Sequence, residues 1–171
     1  MTLIIISGVS GTGKSSLSNK IGHELSIPVF SIDLIKAFFL KTGLAENGWE
    51  TVREKGYQLL ADFAENQLKL NQSVIIDGVF ARKEFRTRLL DIAKTHNAKL
   101  KIIACICTDQ DTHMQRILNR KRNIEGLPEI EWDYVKKVKE TFTEWKDEHL
   151  TLDALSTIEE NYLLAKKYIT S

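Results

Sequence analysis

The 171-residue sequence contains little cysteine and no long apolar run. Its two cysteines, Cys105 and Cys107, stand two apart in an apolar stretch, which fits neither a C-x-x-C redox motif nor a four-ligand zinc site. We expect both to be reduced core residues. The longest apolar stretches, such as Leu3–Ile6, are far shorter than the roughly 18 residues that cross a bilayer, which predicts no transmembrane helix. Because the N-terminus also lacks a basic segment and a small-residue cleavage site, we expect a cytoplasmic protein with no membrane partner.

An excess of one charge is also missing. The chain has 24 Lys and Arg against 23 Asp and Glu, a formal net charge of +1, so any nucleic-acid role must rest on a local patch and is not expected. With 43% hydrophobic residues, 27% charged residues and only 2 prolines, the composition excludes collagen-like, low-complexity and wholly disordered chains. The length predicts one domain over residues 1–171.

Short apolar runs alternate with segments of helical periodicity. The runs predict strands over Leu3–Ile6, Pro28–Ile32, Val74–Ile76, Leu100–Cys107 and, more weakly, His149–Leu152. The first helix is predicted to begin near Gly13 or Lys14 and to end at Ser26 to Pro28. Further helices are predicted over Leu34–Lys41, about Trp49–Leu70, from Phe85 to near His96, after Asp109, and over Ile130–Trp145 and Thr157–Ile169. A turn is predicted at residues 46–48 and a charged loop over Asn123–Pro128. Strands separated by helices need crossover connections, so the pattern predicts a mostly parallel α/β sheet with helices on both faces.

Residues Gly8–Ser15 read G-V-S-G-T-G-K-S, which satisfies G-x-x-x-x-G-K-[S/T] between a predicted strand and a predicted helix. Gly8, Gly11 and Gly13 allow backbone conformations in which consecutive amides converge on phosphate oxygens. The motif, a phosphate-binding loop or P-loop, predicts that Lys14 reaches the β- and γ-phosphates and that the Ser15 hydroxyl binds Mg²⁺. The expected nucleotide-binding residues are Gly8, Ser10, Gly11, Thr12, Gly13, Lys14, Ser15 and Ser16.

With this motif and its small size, the chain resembles the P-loop NTPases. Within that superfamily it is most similar to a branch of small predicted kinases related to chloramphenicol phosphotransferase, gluconate kinase and the polynucleotide 5′-kinases. The resemblance implies a three-layer αβα sandwich with a five-stranded sheet and a short helical lid at about residues 116–130. It also implies ATP and Mg²⁺ as cofactors and transfer of the γ-phosphate to a hydroxyl of a small-molecule acceptor.

Asp33 and Asp77 each stand at the end of a predicted strand, where ligands of parallel sheets bind. In the resembled kinases an aspartate at the position of Asp33 is the general base for the acceptor hydroxyl; the alternative is a helix N-cap. Related kinases often carry D-x-x-R here, and this chain has Lys36 instead of the arginine. Asp77 looks like a Walker B acid that holds Mg²⁺ beside Ser15; the alternative is an acceptor-site segment running from Asp77 to Arg82.

Arginines follow two of the strands. Arg116 and Arg120 stand four residues apart, which predicts one shared helical face, and they resemble the lid arginines that close over ATP. Arg82, Arg86 and Arg88 offer contacts to an anionic acceptor, or else form a solvated face. The four histidines have no metal-site or catalytic spacing and are expected to be structural or solvent-facing, while Trp49 is either a packing residue or part of the acceptor pocket.

Three functions remain open at the level of sequence. The leading one is the phosphotransferase, in which Lys14, Asp33, Arg116 and Arg120 carry the chemistry and Ser15 and Asp77 hold the metal. The second is an NTP-hydrolysing or NTP-sensing switch, although the N-K-x-D motif of guanine recognition is missing. The third is a kinase of 5′-hydroxyl groups on nucleotides or nucleic acids, which near-neutral charge disfavours.

Overall fold

A computed structural model of the chain describes residues 1–45 and 48–171, and Glu46 and Asn47 of the predicted turn lie outside them. The elements in these ranges are β1 (Thr2–Ser7), α1 (Lys14–Leu25), β2 (Val29–Ser31), α2 (Ile32–Lys41), α3 (Trp49–Lys69), β3 (Val74–Asp77), α4 (Glu84–Thr95), β4 (Lys99–Ile106), α5 (Gln110–Leu118), α6 (Trp132–Glu140), β5 (Leu150–Asp153) and α7 (Ile158–Thr170). Among them, no helix is both long enough and apolar enough to span a membrane.

The five strands form one sheet in the order β2-β3-β1-β4-β5, and every neighbouring pair is parallel. The predicted α/β sheet is therefore confirmed. Ile6 of β1 lies opposite Asp77 of β3 and Ile103 of β4, so the three central strands end at the same edge of the sheet. The loops that leave this edge include the P-loop.

Helices cover both faces of the sheet because the central strands are apolar on both sides. Leu3 and Ile5 of β1 pack in a cluster with residues of α2, α3 and α4, whereas Ile4 and Ile6 pack in a second cluster with α1 and α7. All four side chains are fully buried. Alternate residues of a strand point to opposite faces, and the continuous run Leu3–Ile6 thus produces the three-layer sandwich.

Two differences between the predicted and observed elements have a clear cause in the structure. Ile32, predicted as the end of a strand, begins α2, since Ser31 caps that helix by accepting a hydrogen bond from the Asp33 amide at 3.3 Å. The helix predicted over Ile130–Trp145 covers only Trp132–Glu140. Beyond it the Thr143 amide bonds the Ala81 carbonyl at 2.9 Å, a long-range contact that competes with continued helix.

The predicted lid region consists of the end of α5 and a loop. Helix α5 stops at Leu118, and residues 119–131 connect it to α6. A small apolar cluster joins Val9 of the P-loop to Ile117 of α5 and Val135 of α6. The two helices that flank the loop are thereby fixed against the P-loop.

Candidate active site

The P-loop runs from the end of β1 to the start of α1, as the motif predicts. Gly8, Gly11 and Gly13 have φ angles of +140°, +87° and +79°, a region that side-chain-bearing residues seldom adopt. A Cβ atom on Gly8 would lie 2.1 Å from the Cys105 carbonyl oxygen of β4. Gly8 is therefore required for the close approach of the loop to the sheet.

The Lys14 side chain is buried and folds back against the preceding residues of the P-loop. Its Nζ donates a hydrogen bond of 2.9 Å to the Val9 carbonyl, and the Thr12 hydroxyl donates to the same oxygen at 2.8 Å. Burial lowers the pKa of the Lys14 ammonium, and the nearby Asp77 carboxylate opposes that shift. The ammonium is thus held beside the loop amides in a partly desolvated position, where it interacts strongly with any anion.

A cavity of about 260 Å³, the P-loop cavity, opens above this loop. Its lining brings together most of the predicted nucleotide-binding residues and both predicted lid arginines: Gly11, Gly13, Lys14, Ser15, Ser16, Arg116 and Arg120. Gly8 does not line this cavity, and Ser10 and Thr12 line neighbouring ones. Five of the eight predicted nucleotide-binding residues therefore line the P-loop cavity, and Gly8, Ser10 and Thr12 do not.

Ser15 and Asp77 meet at the junction of α1 and β3. The Ser15 hydroxyl donates to Asp77 Oδ2 at 2.9 Å, and the Ser18 hydroxyl lies 3.5 Å from the same oxygen. Burial raises the pKa of the Asp77 carboxyl, while Lys14 and the Ser15 hydrogen bond act in the opposite direction. A hydroxyl and a carboxylate beside a phosphate-binding loop are the oxygen donors that suit Mg²⁺, so the predicted pair fits this ion.

His113 supports the P-loop from α5. Its ring is fully buried, Nε2 lies 2.7 Å from the Ser10 carbonyl oxygen, and Trp132 packs edge-on against it at 5.2 Å. A Cβ atom on Gly11 would lie 3.0 Å from the ring. The histidine is structural, as expected, but its contact with the P-loop has no signature in sequence spacing.

Asp33 lies in the first turn of α2 and borders a separate cavity. Ser31, and not Asp33, is the N-cap of this helix, so the alternative role considered for Asp33 is wrong. The side chain lines a cavity of about 260 Å³, the Asp33 cavity, together with Ser10, Lys36, Trp49, Val79, Arg122, Leu127, Pro128, Glu129, Ile130, Glu131 and Tyr134. The structure therefore places Trp49 at the predicted acceptor side.

Arg122 is the lid-region arginine beside Asp33. Its Nη2 lies 3.8 Å from Asp33 Oδ2, its Nη1 donates to the Pro128 carbonyl at 3.2 Å, and its backbone amide donates to Glu129 at 2.9 Å. The Arg122 side chain is 6% exposed. Sequence spacing favours Arg116 and Arg120, and the contact of Arg122 depends on how the loop folds back over α2.

Arg116 and Arg120 both reach the P-loop, although not from one continuous helix. Arg116 lies on α5 and donates to the Ala154 carbonyl at 2.5 Å, whereas Arg120 follows the helix C-cap Asn119. The predicted shared helical face is therefore wrong in detail. Both arginines nevertheless line the P-loop cavity.

The arginines around α4 have three different environments. Arg86 is buried and donates to the carbonyls of Phe80 at 2.7 Å and Glu144 at 3.1 Å, and also to that of Thr143. Arg88 forms an exposed ion pair with Asp62. Arg82 lines a cavity of about 240 Å³, the Arg82 cavity, together with Ser10, Lys36, Arg53, Tyr57, Val79, Ala81, Phe85, Tyr134, Val135, Lys137, Val138 and Thr141.

A further cavity of about 240 Å³, the Ala154 cavity, lies on the other side of the P-loop. It is lined by residues of α1, β5 and the start of α7, including Thr12, Gly13, Ser16, Arg116, Leu152, Ala154, Ser156 and Asn161. The described cavities thus lie on both sides of the P-loop, one next to the chain after β5 and two next to α2 and α6.

Comparison with known proteins agrees with this architecture. A family model described as an AAA domain matches residues 3–143. No curated protein matches the chain.

Solved structures of kinases share the fold across nearly the whole chain. A sugar kinase from Janibacter sp. is 14% identical, with a TM-score of 0.74 over 99% of this chain and 95% of that chain. A gluconokinase from Sinorhizobium meliloti is 16% identical, with a TM-score of 0.73 over 99% of this chain and 91% of that chain. The APS kinase of Mycobacterium tuberculosis, in complex with AMPPNP and APS, is 16% identical, with a TM-score of 0.64 over 99% and 98%. The TM-scores show a shared fold, and at these identities the likeness extends to the fold alone.

Proposed function

We propose that this chain, which belongs to the AAA domain family, is an ATP- and Mg²⁺-dependent phosphotransferase that moves the γ-phosphate to a hydroxyl group of a small-molecule acceptor. One observation carries the proposal: the Asp33 carboxylate borders a cavity that shares no lining residue with the P-loop cavity. A hydrolase acts on water and needs no such second cavity. A kinase that acts on a neutral hydroxyl has use for a carboxylate where the acceptor binds, because the hydroxyl must lose its proton during transfer.

The nucleotide side of the proposal rests on the P-loop and the two cavities next to it. The phosphates would bind in the P-loop cavity, where the first amides of α1 and the Lys14 ammonium provide positive potential. The base and ribose would enter the Ala154 cavity, which shares Gly13, Ser16 and Arg116 with the P-loop cavity. The AMPPNP complex of the structurally similar APS kinase supports a nucleotide ligand for this fold.

Ser15 and Asp77 are the proposed Mg²⁺ site. Mg²⁺ bound there would neutralise charge on the β- and γ-phosphates during transfer. The Ser15 hydroxyl and the Asp77 carboxylate share a hydrogen bond of 2.9 Å, so the two oxygen donors lie next to each other at the edge of the sheet. The contact of Asp77 with Ser15 favours the metal role over the acceptor role.

In the proposed reaction the acceptor hydroxyl donates its proton to the Asp33 carboxylate. The hydroxyl oxygen forms a bond to the γ-phosphorus, the bond from that phosphorus to the β–γ bridging oxygen breaks, and ADP leaves. Lys14 and Arg120 would stabilise the negative charge on the transferred group from the P-loop cavity. Arg122, 3.8 Å from Asp33, would hold the carboxylate in position.

The experiment that tests this proposal measures ADP formation from Mg²⁺-ATP with a panel of hydroxyl-bearing metabolites, antibiotics, nucleosides and 5′-hydroxyl oligonucleotides. We expect ADP formation that depends on an acceptor, and Lys14→Ala serves as the blank. Asp33→Asn should lower the rate by about 100-fold or more, because general-base catalysis contributes about that much, and should leave ATP binding intact. The matched control is Asp91→Asn, which changes an exposed aspartate of α4.

Two outcomes would contradict the proposal. Acceptor-independent ATP turnover that Asp33→Asn leaves unchanged would indicate a hydrolase or a switch protein. A preference for 5′-hydroxyl oligonucleotides, with binding that weakens steeply as salt increases, would indicate a nucleic-acid kinase.

A further inference from the structure

The Arg82 cavity has a strongly one-sided charge. Its lining contains four cationic side chains and, among the described residues, no carboxylate. The cations come from four separate parts of the chain, namely α2, α3, the segment after β3 and α6: Lys36, Arg53, Arg82 and Lys137. Since tertiary structure brings them to one place, the cluster is not the surface stripe of a single helix.

Only part of this charge is neutralised by the protein. Glu50, itself half exposed, accepts hydrogen bonds from Arg53 at 2.8 Å and from Arg82. Within residues 1–45 and 48–171, no carboxylate lies within ion-pair distance of Lys36 or Lys137. The cavity therefore keeps an excess of positive charge that an anionic ligand would offset.

Lys36 is a partly buried cation that lines this cavity. Burial lowers its pKa to about 8, and although Asp33 opposes this shift, Arg53 and Arg122 repel its charge. A desolvated ammonium among guanidinium groups is costly, and an anion beside it would stabilise its charged form. Lys36 lines both the Arg82 cavity and the Asp33 cavity, so it links the two.

The remaining wall of the Arg82 cavity is aromatic and apolar. Tyr57 and Phe85 stack with ring centroids 4.2 Å apart, and the Arg82 guanidinium lies 5.8 Å from the Phe85 centroid. This wall fits the carbon skeleton of a ligand, while planar guanidinium groups suit carboxylate or phosphate oxygens. The Arg82 and Asp33 cavities also share Ser10, Val79 and Tyr134, so one elongated molecule can extend across both.

We propose, on the basis of the phosphotransferase function above, that the acceptor carries a carboxylate or phosphate at a distance from its reactive hydroxyl. The anionic group binds Lys36, Arg53, Arg82 and Lys137 in the Arg82 cavity, and the hydroxyl lies at Asp33. Transfer then proceeds as above: the hydroxyl oxygen bonds to the γ-phosphorus, its proton passes to Asp33 and ADP leaves. Together the cavities, about 240 and 260 Å³, have the size of a small-molecule site of roughly 300–1,000 Å³.

The test is a binding experiment with pairs of hydroxyl compounds that differ in an anionic group. The probes are glucose 6-phosphate against glucose, gluconate against glucose, and AMP against adenosine. Each is titrated by calorimetry at low salt into the full chain saturated with Mg²⁺-AMPPNP, so that the P-loop is occupied by nucleotide. We expect the anionic member of at least one pair to bind about tenfold or more tightly than its neutral partner, because charge-assisted hydrogen bonds are the strong ones.

Two pairs of variants locate the binding site. Arg82→Gln and Lys137→Gln should each weaken binding of the anionic probe about tenfold and should raise its KM as an acceptor more than they lower kcat. The matched controls are Arg88→Gln and Lys136→Gln, which remove exposed cations already paired with Asp62 and Asp133 outside the cavity. The controls should bind the probe like the unaltered chain.

Four outcomes of these experiments would contradict the proposed anionic acceptor or the proposed function. Equal binding of anionic and neutral probes in all three pairs would overturn the proposal, as would equal losses in the cavity variants and their controls. Tight binding of a 5′-hydroxyl oligonucleotide in place of the small anions would overturn it in favour of a nucleic-acid acceptor. A chain that binds no AMPPNP would instead refute the proposed function itself, so the two failures are distinguishable.

Discussion

Gly8 and Gly13 show that two glycines of one motif are needed for different reasons. Both have positive φ angles, but a Cβ atom on Gly13 would meet no atom within 4 Å, whereas a Cβ atom on Gly8 would overlap the Cys105 carbonyl oxygen. Gly13 is thus needed only because its backbone has a positive φ angle. Gly8 is needed in addition because a side chain would overlap β4, a contact that the sequence motif does not reveal.

This difference predicts unequal effects of substitution by alanine. Gly13→Ala should lower the free energy of unfolding by about 1–2 kcal/mol, the cost of a left-handed conformation at a non-glycine residue. Gly8→Ala should cost about 3 kcal/mol or more, because the backbone of the loop or of β4 must also shift. Urea unfolding of both variants measures the difference. Equal losses would show that the contact with Cys105 is relieved without cost.

His113 makes the stability of the folded chain depend on pH. Burial lowers the pKa of its imidazole below the ordinary value of 6.5, since a charge in this position would be desolvated. The unfolded chain therefore binds a proton at higher pH than the folded chain. The stability that neutral His113 provides is fully present above about pH 6.5 and is lost as the pH falls below that value.

His113→Gln should remove this dependence while keeping a donor for the Ser10 carbonyl. At pH 8 the variant should be less stable than the unaltered chain by about 1 kcal/mol. That difference should shrink between pH 7 and pH 5, by at most about 1.4 kcal/mol per pH unit. Chemical unfolding across this range is the measurement. His23→Gln, at an exposed position, is the control and should follow the unaltered chain; a constant difference for His113→Gln would contradict the prediction.

At the scale of elements, hydrogen bonds from α4 hold the segment between α6 and β5, residues 141–149, in place. Arg86 of α4 donates to three carbonyls, two of which belong to Thr143 and Glu144, and its guanidinium lies 4.1 Å from the Trp145 ring centroid. The Thr143 and Glu144 carbonyls are therefore bonded to a side chain of α4 and not to backbone amides of a continued α6. This explains why the helix predicted over Ile130–Trp145 ends early.

Arg86→Lys should destabilise the chain by about 3 kcal/mol. A lysine ammonium cannot reproduce the planar set of donors, and carbonyls of Phe80, Thr143 and Glu144 would lose partners in a buried place. Arg88→Lys on the same helix should change stability by less than about 0.5 kcal/mol, since its pair with Asp62 is exposed. Urea unfolding compares the two. Similar losses would mean that Arg86 is not the link between α4 and this segment.

Most elements were predictable because their signals are local. The apolar runs of β1, β3 and β4, and the periodicity of α1 and α3, lie within short stretches of sequence and match the observed bounds to within about 2 residues. The loop over residues 119–131 was less predictable. Its path depends on the contact of Arg122 with Asp33 and on the ion pair of Lys41 with Glu125, both between residues far apart in the chain.

At the scale of the whole molecule, the proposed ligand connects parts that the sheet brings to one edge. Nucleotide bound in the P-loop and Ala154 cavities would contact α1, α5 and the chain around β5 together. A ligand that binds the folded chain but not the unfolded one stabilises the fold by mass action. Thermal stability therefore reports binding without any assay of activity.

Mg²⁺-ATP at about 100 times its Kd should raise the free energy of unfolding by about 2.7 kcal/mol, which for a chain of this length corresponds to an increase in Tm of about 5–10 °C. The Lys14→Ala variant should show little or no increase, because it lacks the ammonium that lines the P-loop cavity. A thermal shift assay measures both. An equal increase in the variant would place the nucleotide elsewhere on the molecule.

The sequence by itself determined the P-loop, the alternation of strands and helices and the edge of the sheet from which the P-loop leaves, because glycine conformations, apolar periodicity and crossover connections are local properties. Only the tertiary structure decided that Arg86 is buried, that His113 supports Ser10, and that four cations from four parts of the chain line one cavity next to the Asp33 cavity. These depend on which distant residues come into contact. No short stretch of sequence carries that information, since the same arginine or lysine on a helix can face solvent, core or ligand.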